Sequence, residues 1–268
     1  MLNSGKNGWF SKNALKKINL SDYVHDPNKK YMGFKSWNDF FTRKFVKGAR
    51  PIAEPDNNKV IVSACDSTIY KISRNVKRMN TFWIKSQPYS LIDIFNGNEK
   101  YTNYFEGGDI FQAFLNPFNY HRWHSPITGT IIDAKVIEGL YFSQRNQQTD
   151  FGKNQKVLSW IEHSEDPNDQ DASEGYITTN QTRALILIKS DDPKIGIVAL
   201  MPIGMVEISS CVINRKIKKG YHIKKGEEVG KFQFGGSTHC LIFKKGAIKN
   251  FTKKSGFCKL GSQIALAN

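Results

Sequence analysis

Apolar and polar residues alternate along most of the chain after residue 58, and this pattern predicts β-strands rather than helices. The alternating segments are rich in β-branched residues and read KVIVSACDSTIYKI, DIFQAFLN, GTIIDAKVI, ALILIKS and KIGIVAL. Glycines punctuate the later stretch KKGYHIKKGEEVGKFQFGGST and indicate tight hairpins. We therefore predict an α+β fold with a mainly antiparallel β core, Gly-punctuated hairpins and a few peripheral helices.

Helical signals are fewer and lie mostly near the N-terminus. A short helix is predicted over residues 11–17, and YSLIDIFNG predicts a helical insert further on. Another helix should begin after Ser36, because Asp39 stands three residues later and would complete a capping box. It should run to near Gly48 and turn one aromatic face toward the core, made of Trp37, Phe40, Phe41 and Phe45.

Length and composition limit the class of protein. The chain has 268 residues, enough for one domain with a sizeable core, and we expect a single domain over residues 1–268. Residues 144–182 are polar and without periodicity, so a long surface excursion between strands is predicted. Neither an apolar stretch of transmembrane length nor a signal peptide is readable, which favours an intracellular protein, cytoplasmic or peripheral to a membrane.

The charge is strongly basic and unevenly placed. The chain carries 39 Lys and Arg against 24 Asp and Glu, a net charge of +15, and residues 211–268 hold 13 basic and two acidic residues of these. Such a region suggests an anionic partner, either nucleic acid or an acidic lipid surface. Solvated lysines that only maintain solubility explain it equally well.

Two polar clusters and one isolated acid are candidates for chemistry. In YHRWH, His121 and His124 stand three residues apart and could supply a proton donor and a base near neutral pH. A metal is the other use of paired histidines, but no third ligand is evident nearby, with His25, His163, His222 and His239 scattered elsewhere. Asp66 interrupts an apolar strand pattern and needs a partner, for which a histidine is natural.

The remaining cluster, FGGSTHC, places Ser237 after two glycines. Glycines free the backbone for unusual torsion angles and close approach. The surrounding pattern is neither a nucleophile elbow nor a phosphate-binding loop. On its own, GGS is usually only a turn.

Together, however, these motifs occur in a specific order. FFTRKF, ARPI, SACDS, YHRWHSPITGTI and GKFQFGGST follow one another in a way that resembles the phosphatidylserine decarboxylase family of pyruvoyl enzymes. The resemblance covers about residues 31–246, nearly the whole chain. Either GGST or YHRWH alone would be a weak signal, whereas the two together are specific.

The resemblance implies an enzyme that processes itself. Cleavage at Gly236–Ser237 would give a β chain, 1–236, and an α chain, 237–268, and would convert Ser237 into an N-terminal pyruvoyl group. By the family's pattern His124 would be the base, Asp66 would orient it, and His121 would handle protons during turnover. The pyruvoyl carbonyl would form a Schiff base with the substrate amine, so neither pyridoxal phosphate nor a metal is expected.

The substrate is less constrained than the chemistry. The leading hypothesis is conversion of phosphatidylserine to phosphatidylethanolamine and carbon dioxide, with peripheral contact to an anionic membrane and a homodimeric assembly. The alternative is the same chemistry on a soluble L-amino acid such as tryptophan. It is favoured by the lack of a readable hydrophobic N-terminal anchor and by some resemblance to a soluble tryptophan decarboxylase branch. Asn119, where the family usually has Asp before Tyr-His-Arg, is a departure that leaves the substrate open. A nucleic-acid-binding β domain is a remote reading, because the aromatic residues lie in apolar strands instead of among the lysines.

Overall fold

Four short α-helices and two 3-10 helices, Leu20–Asp22 and Lys30–Gly33, lie in the described part of the first 105 residues. The computed structural model describes residues 2, 5, 8–79, 90–140, 180–204, 210–233 and 237–268. Ser11 and Ser36 cap the first two α-helices, as each hydroxyl accepts a hydrogen bond from the backbone N–H three residues on. The α-helices are α1 Lys12–Leu15, α2 Trp37–Phe41, α3 Leu91–Ile94 and α4 Glu99–Phe105.

An eight-stranded antiparallel sheet dominates the molecule. Its order from one edge to the other is β13-β2-β3-β11-β7-β6-β5-β9. The strands are β2 Ser67–Ser73, β3 Asp109–Leu115, β5 Gly129–Ile137, β6 Arg183–Ser190, β7 Ile197–Gly204, β9 His222–Ile223, β11 Ser237–Phe243 and β13 Phe257–Cys258. Strand β11 therefore lies inside the sheet, paired with β3 on one side and β7 on the other.

Two smaller antiparallel sheets complete the β structure. One has the order β1-β14-β12 and the other the order β4-β10-β8. Their strands are β1 Val60–Val62, β4 Arg122–His124, β8 Ser210–Ile213, β10 Glu228–Gln233, β12 Ile248–Phe251 and β14 Gln263–Ala267. These pairings confirm the predicted α+β class with a mainly antiparallel core.

Both faces of the large sheet are covered, and β11 shows this most clearly because all seven of its residues are buried. Leu241 and Phe243 join a core cluster that also contains Phe41 and Trp123. Cys240 and Ile242 point to the other face, where α3 and α4 pack on the sheet. A strand buried on both faces has little polar alternation, which explains the apolar run from Cys240 to Phe243, whereas Ser237, Thr238 and His239 are polar side chains in buried positions.

The predicted helix after Ser36 is correct at its start and wrong at its end. Helix α2 stops at Phe41, because Thr42 already leaves the helical torsion angles. Phe45 does not share the helix face but pairs with Tyr23 in an isolated β-bridge, with the two rings stacked 4.8 Å apart. The contact of Phe45 with Tyr23 thus outweighs the helical spacing of the aromatic residues after Ser36.

Other boundaries also differ from the sequence-based expectation. The run KVIVSACDSTIYKI forms two strands in different sheets, β1 and β2, with the turn at residues 63–66 between them. The insert YSLIDIFNG forms only the single turn of α3, and α4 was not predicted. The polar excursion predicted over 144–182 lies largely in 141–179, outside the described residues.

Candidate active site

Ser237 is the first residue of β11 and lies between Leu115 of β3 and Gly204 of β7. Its side chain is fully buried, and Oγ has no hydrogen-bond partner among the described residues. Because strand residues alternate between faces, Ser237 shares the face of Leu241, toward the cluster of Phe41 and Trp123. Gly236, the other half of the predicted cleavage site, lies outside the described residues.

His121 stands immediately before β4 and is also fully buried. Its ring stacks on Phe41 with 3.9 Å between the ring centroids. Neither ring nitrogen makes a hydrogen bond of normal geometry within the described part of the chain. Burial, with the nearby charge of Arg43, holds the pKa of His121 well below its usual value, so the imidazole is neutral at pH 7.

His124 ends β4 and has both ring nitrogens engaged. Nδ1 lies 2.8 Å from the Gly226 carbonyl oxygen and must donate to it. Nε2 therefore carries a lone pair, which accepts a hydrogen bond from the Tyr120 hydroxyl at 3.0 Å. Burial lowers the pKa of His124, and the Gly226 carbonyl opposes this shift. The tautomer of His124 is thus fixed by a backbone group, with Nε2 as the basic nitrogen.

Gly226 can hold this position because it is a glycine. Its φ is +79°, a left-handed conformation that other residues rarely adopt. A Cβ there would also come within 2.4 Å of Ile52 Cδ1. The hairpin turn before β10 consequently presents its carbonyl to His124 at a point where a side chain would not fit.

Asp66 lies in the turn before β2 and is bound by groups other than His124. Arg50 Nε lies 2.9 Å and 3.1 Å from its two carboxylate oxygens, and Nη2 lies 2.6 Å from Oδ2. The Leu260 backbone N–H donates to Oδ1 at 2.7 Å. Arg50 also binds Asp22 at 2.9 Å, and its paired carboxylates raise its pKa against the effect of burial. The predicted partner of Asp66, a histidine, is therefore replaced by an arginine.

The three predicted segments nevertheless converge. The His124 backbone N–H donates to the Ala64 carbonyl at 2.9 Å, two residues before Asp66. Across the large sheet, Thr68 of β2 pairs with Phe114 of β3, and Phe114 pairs with Thr238, the neighbour of Ser237. The fold thus gathers the segments, but no hydrogen bond joins the side chains of Asp66, His124 and Ser237 within the described residues. Their catalytic roles stay predictions.

A cavity of about 580 Å³ adjoins this region. Arg50 and Asp66 line it together with Asn116, Phe118 and Phe257. Asn116 directly follows Leu115, the strand partner of Ser237. The cavity therefore has in its wall the residue next to the strand partner of Ser237, and its size suits a small ligand.

Sequence reasoning missed four residues of this site. Arg50, Tyr120 and Gly226 contact the predicted residues, and all three lie in motifs or turns that were noticed without being given a role. His239 was considered only as a remote metal ligand, yet it lies two residues after Ser237 on the same strand. In the described parts of the chain, no three His, Cys, Asp or Glu side chains come together as a metal site.

Comparison with known proteins fits this geometry. The sequence profile described as phosphatidylserine decarboxylase matches residues 37–266, which include Asp66, both predicted histidines and Ser237. The chain belongs to the phosphatidylserine decarboxylase family, whose members are pyruvoyl-dependent carboxy-lyases. This confirms the family resemblance read from the motifs.

Individual relatives are all named as decarboxylases, but their names do not agree on a substrate. The chain is 36% identical to decarboxylase iboD of Amanita muscaria, over 91% of this chain and 70% of that protein. It is 33% identical to the L-tryptophan decarboxylase of Psilocybe cubensis, over 96% of this chain and 60% of that protein. It is 32% identical to a phosphatidylserine decarboxylase proenzyme of Fusobacterium nucleatum, over 86% of this chain and 66% of that protein. The chain thus spans about two thirds of the length of these relatives.

Within the described residues, none of the helices combines the length and the apolar character needed to cross a bilayer.

Proposed function

We propose that this chain is a self-processing, pyruvoyl-dependent decarboxylase that acts on a free L-amino acid and releases carbon dioxide. The observation that carries the processing step is the position of Ser237: a fully buried hydroxyl without a partner among the described residues, directly after two glycines and at the start of an interior strand. An unpaired buried hydroxyl costs about 1–3 kcal/mol, and a reactive role is a physical reason to retain it.

The surroundings of Ser237 suit a pyruvoyl group. The side chain faces the apolar cluster that contains Phe41 and Trp123, so water is excluded there. His121, packed on Phe41, belongs to the same region and has free ring nitrogens within the described residues. At position 237 the group would supply a carbonyl that condenses with the substrate amine and accepts the electron pair left by carbon dioxide.

In self-cleavage, the Ser237 hydroxyl would attack the carbonyl carbon of Gly236 and lose its proton to a base. His124 Nε2 is the basic nitrogen of the correct tautomer, but Tyr120 occupies its lone pair. The Tyr120 hydroxyl must therefore turn away, or pass a proton on, before His124 can act on Ser237. Asp66 would contribute as a fixed charge, since its oxygens are held by Arg50 and Leu260.

His121 suits the later role that the family pattern assigns to it. It is neutral, shielded from water and free to hydrogen-bond a substrate group. We propose that it positions a proton at the substrate during turnover and is dispensable for self-cleavage. His121→Gln should then still split into two chains but lose carbon dioxide release.

The choice of an amino acid as substrate rests on two supports. One of the relatives is named for a free amino acid, the L-tryptophan decarboxylase of Psilocybe cubensis, and decarboxylase iboD is named without a lipid; their identities of 33% and 36% are the higher ones of the three compared. The cavity beside Asp66 has aromatic walls that include Phe118 and Phe257. A small aromatic or polar side chain would be accommodated there.

The second support is the placement of the lysines. They do not gather around Ser237, as they would if the site faced an anionic membrane. Lys244 and Lys245 follow the last residue of β11, about 24 Å along the strand from Ser237. The pairs at 218–219 and 253–254 precede β9 and β13, the two opposite edges of the large sheet. Lys225 is buried against backbone carbonyls. The lysines therefore do not form one surface around the site.

Phosphatidylserine remains the second candidate substrate, because the family profile and the Fusobacterium nucleatum relative carry that name. It presents the same α-amino acid head group to the reacting carbonyl. Contact with an anionic membrane would then depend on a few surface lysines, each worth about 1 kcal/mol, and would weaken with salt.

Two measurements test the proposal. Intact mass should show chains 1–236 and 237–268, the second blocked by a pyruvoyl group, whereas Ser237→Ala should stay a single chain of 268 residues. Carbon dioxide release should be measured from tryptophan, tyrosine, glutamate and serine, and from phosphatidylserine vesicles at low and high salt. Release of carbon dioxide from a free amino acid supports the assignment. Salt-sensitive release from vesicles alone would instead identify phosphatidylserine as the substrate. An uncleaved wild-type chain that decarboxylates would overturn the pyruvoyl mechanism.

A further inference from the structure

His239 is a buried histidine that the proposed mechanism leaves unused. It is the third residue of β11, opposite Ala113 of β3 and Pro202 of β7. Its side chain is fully buried, and neither ring nitrogen makes a hydrogen bond of normal geometry among the described residues, although the nearby Ala113 backbone opposes the lowering of its pKa. Ring nitrogens without a well-formed partner are costly in a core position, and a valine or leucine would pack there without that cost.

The strand itself fixes His239 relative to Ser237. Residues two apart on a strand point to the same face, and their Cα atoms are separated by about 7 Å. The position of the His239 ring, 6.2 Å from that of Phe111, agrees with this face, because Phe111 belongs to the cluster of Leu241 and Trp123. An imidazole and a serine side chain at that separation can reach each other by rotation about their χ angles alone.

The other two histidines are less suited to act on Ser237 after cleavage. His124 uses both nitrogens, for Gly226 and Tyr120. His121 lies on a different segment and is held flat against Phe41. By contrast, His239 belongs to the same 32-residue segment as Ser237, from 237 to 268, and keeps its spacing to Ser237 when the bond before Ser237 is broken.

We propose that His239 is the base that removes the α-proton of residue 237 in the elimination that completes maturation. This inference rests on the proposed self-processing and assigns one of its steps. After the hydroxyl attack, Gly236 is joined to Ser237 through an ester at Oγ, and the nitrogen of residue 237 has become a free amine.

The elimination step then balances as follows. A ring nitrogen of His239 takes the proton from Cα of residue 237, and the electrons of that C–H bond form a Cα=Cβ double bond. The Cβ–Oγ bond breaks, and Gly236 leaves as a carboxylate. Tautomerisation of the resulting dehydroalanine and hydrolysis by water release ammonia and leave the pyruvoyl group.

The environment of His239 is consistent with this role. In an intact strand the Cα–H bond lies near the plane of the sheet, but once its nitrogen is a free amine, residue 237 can rotate its Cα–H bond toward His239. Burial lowers the pKa of His239 to about 4, so the imidazole is neutral at pH 7, and its affinity for the α-proton depends on a negative charge that develops beside it. The departing Gly236 carboxylate supplies the negative charge that stabilises the imidazolium as it forms.

Trapping of the ester provides the test. His239→Gln and His239→Asn would be incubated with and without hydroxylamine, which cleaves esters, and the 237–268 fragment analysed by mass. We expect a fragment with an N-terminal serine, released by hydroxylamine at the wild-type rate, and pyruvoyl formation slower by about 100-fold or more. Cleavage by hydroxylamine requires an assembled site and therefore also reports correct folding. Ser237→Ala should resist hydroxylamine, and His222→Gln, at an exposed sheet edge, should mature normally.

Two results would overturn the inference. One is formation of the pyruvoyl group in both His239 variants at the wild-type rate. The other is a chain that resists hydroxylamine while unfolding as cooperatively as Ser237→Ala, since this would assign His239 to the first step. Failure of the proposed function itself looks different: the wild-type protein would then produce no fragment at all.

Discussion

Arg50 binds Asp66 through two guanidinium nitrogens: Nη2 donates to Oδ2 at 2.6 Å, and Nε donates to both carboxylate oxygens. The carboxylate side chain is 3% exposed and the arginine side chain 10%. Through Asp22 and the Leu260 N–H, this pair also connects the N-terminal segment to the C-terminal one. The Arg50–Asp66 pair therefore stabilises the fold directly. It influences the histidines of the site only by holding these segments in place.

Removal of one member of this pair should destabilise the protein strongly. We expect Asp66→Ala, in the uncleavable Ser237→Ala background, to lower the free energy of unfolding by about 3 kcal/mol, because the largely buried Arg50 keeps only the partly exposed Asp22 as a charged partner and the Leu260 N–H loses its acceptor. The exposed Asp56 offers a matched control, and its change to alanine should stay within about 0.5 kcal/mol. Urea unfolding measures both. Equal losses in the two variants would show that the Arg50 pair contributes nothing particular.

Tyr120→Phe tests the state of His124. Loss of the hydroxyl frees the Nε2 lone pair, while the Gly226 carbonyl still fixes the tautomer. Self-cleavage should then be at least as fast as in the wild type, followed by time-resolved gel or mass analysis of the two chains. Tyr31→Phe, an exposed tyrosine, serves as the control. A tenfold or greater slowing in Tyr120→Phe alone would instead establish the hydroxyl as a proton relay.

Stability should fall as the solution becomes mildly acidic. His121, His124 and His239 have lowered pKa values in the folded protein, so the unfolded chain binds protons that the folded one does not. Stability is then complete above about pH 6.5 and is lost as pH falls; for His239 the loss continues to its folded pKa of about 4. Between pH 7 and pH 5 this residue alone should account for about 2 kcal/mol.

Urea unfolding of Ser237→Ala at the two pH values, with and without His239→Gln, measures that contribution. The double variant should show the smaller loss between pH 7 and pH 5. An identical loss in the two proteins would mean that His239 takes up no proton on unfolding in this range.

Lys224 and Lys225 form a natural matched pair. Lys225 is buried and its Nζ donates to the Glu54 and Asn57 carbonyls at 2.8 Å and 2.7 Å, whereas Lys224 is exposed. Lys225→Met keeps the apolar stem and leaves two carbonyls without their donor, which should cost about 1–3 kcal/mol. Lys224→Met should change stability by less than about 0.5 kcal/mol. Similar values for both would contradict the buried contact.

Local sequence signals were sufficient wherever one element decides its own structure. The Ser36 cap and the β-branched run of β6 follow from residues close together in the chain, whereas strand 237–243 is not among the strands that the sequence predicts. The site residues of the family pattern could also be located, because the motifs are specific. The contacts of these residues could not be predicted from the sequence. The partner of Asp66 stands 16 residues earlier, and the partner of His124 Nδ1 stands 102 residues later.

The distribution of charge along the chain also failed to predict where the lysines lie in the fold. The basic region 211–268 suggests an anionic partner, yet its lysines lie at different edges of the large sheet and Lys225 is buried. Similarly, the aromatic spacing after Ser36 was helical in pattern, but Phe45 found a better partner in Tyr23. Both outcomes depend on contacts between distant segments, which a periodicity does not encode.

The placement of β11 has a consequence for the life of the mature protein. Segment 237–268 supplies an interior strand of the large sheet and also β12, β13 and β14, so its loss would divide one sheet and dismantle another. A protein cut before Ser237 would hold its two chains together without a covalent bond. It folded as one continuous chain before cleavage, and the separated chains could not fold again in that way. After denaturation, recovery would become a bimolecular encounter between a long chain and a 32-residue peptide whose one internal strand pair is β12 with β14 among the described residues. Maturation would thus turn a chain that can refold into an assembly that is made only once.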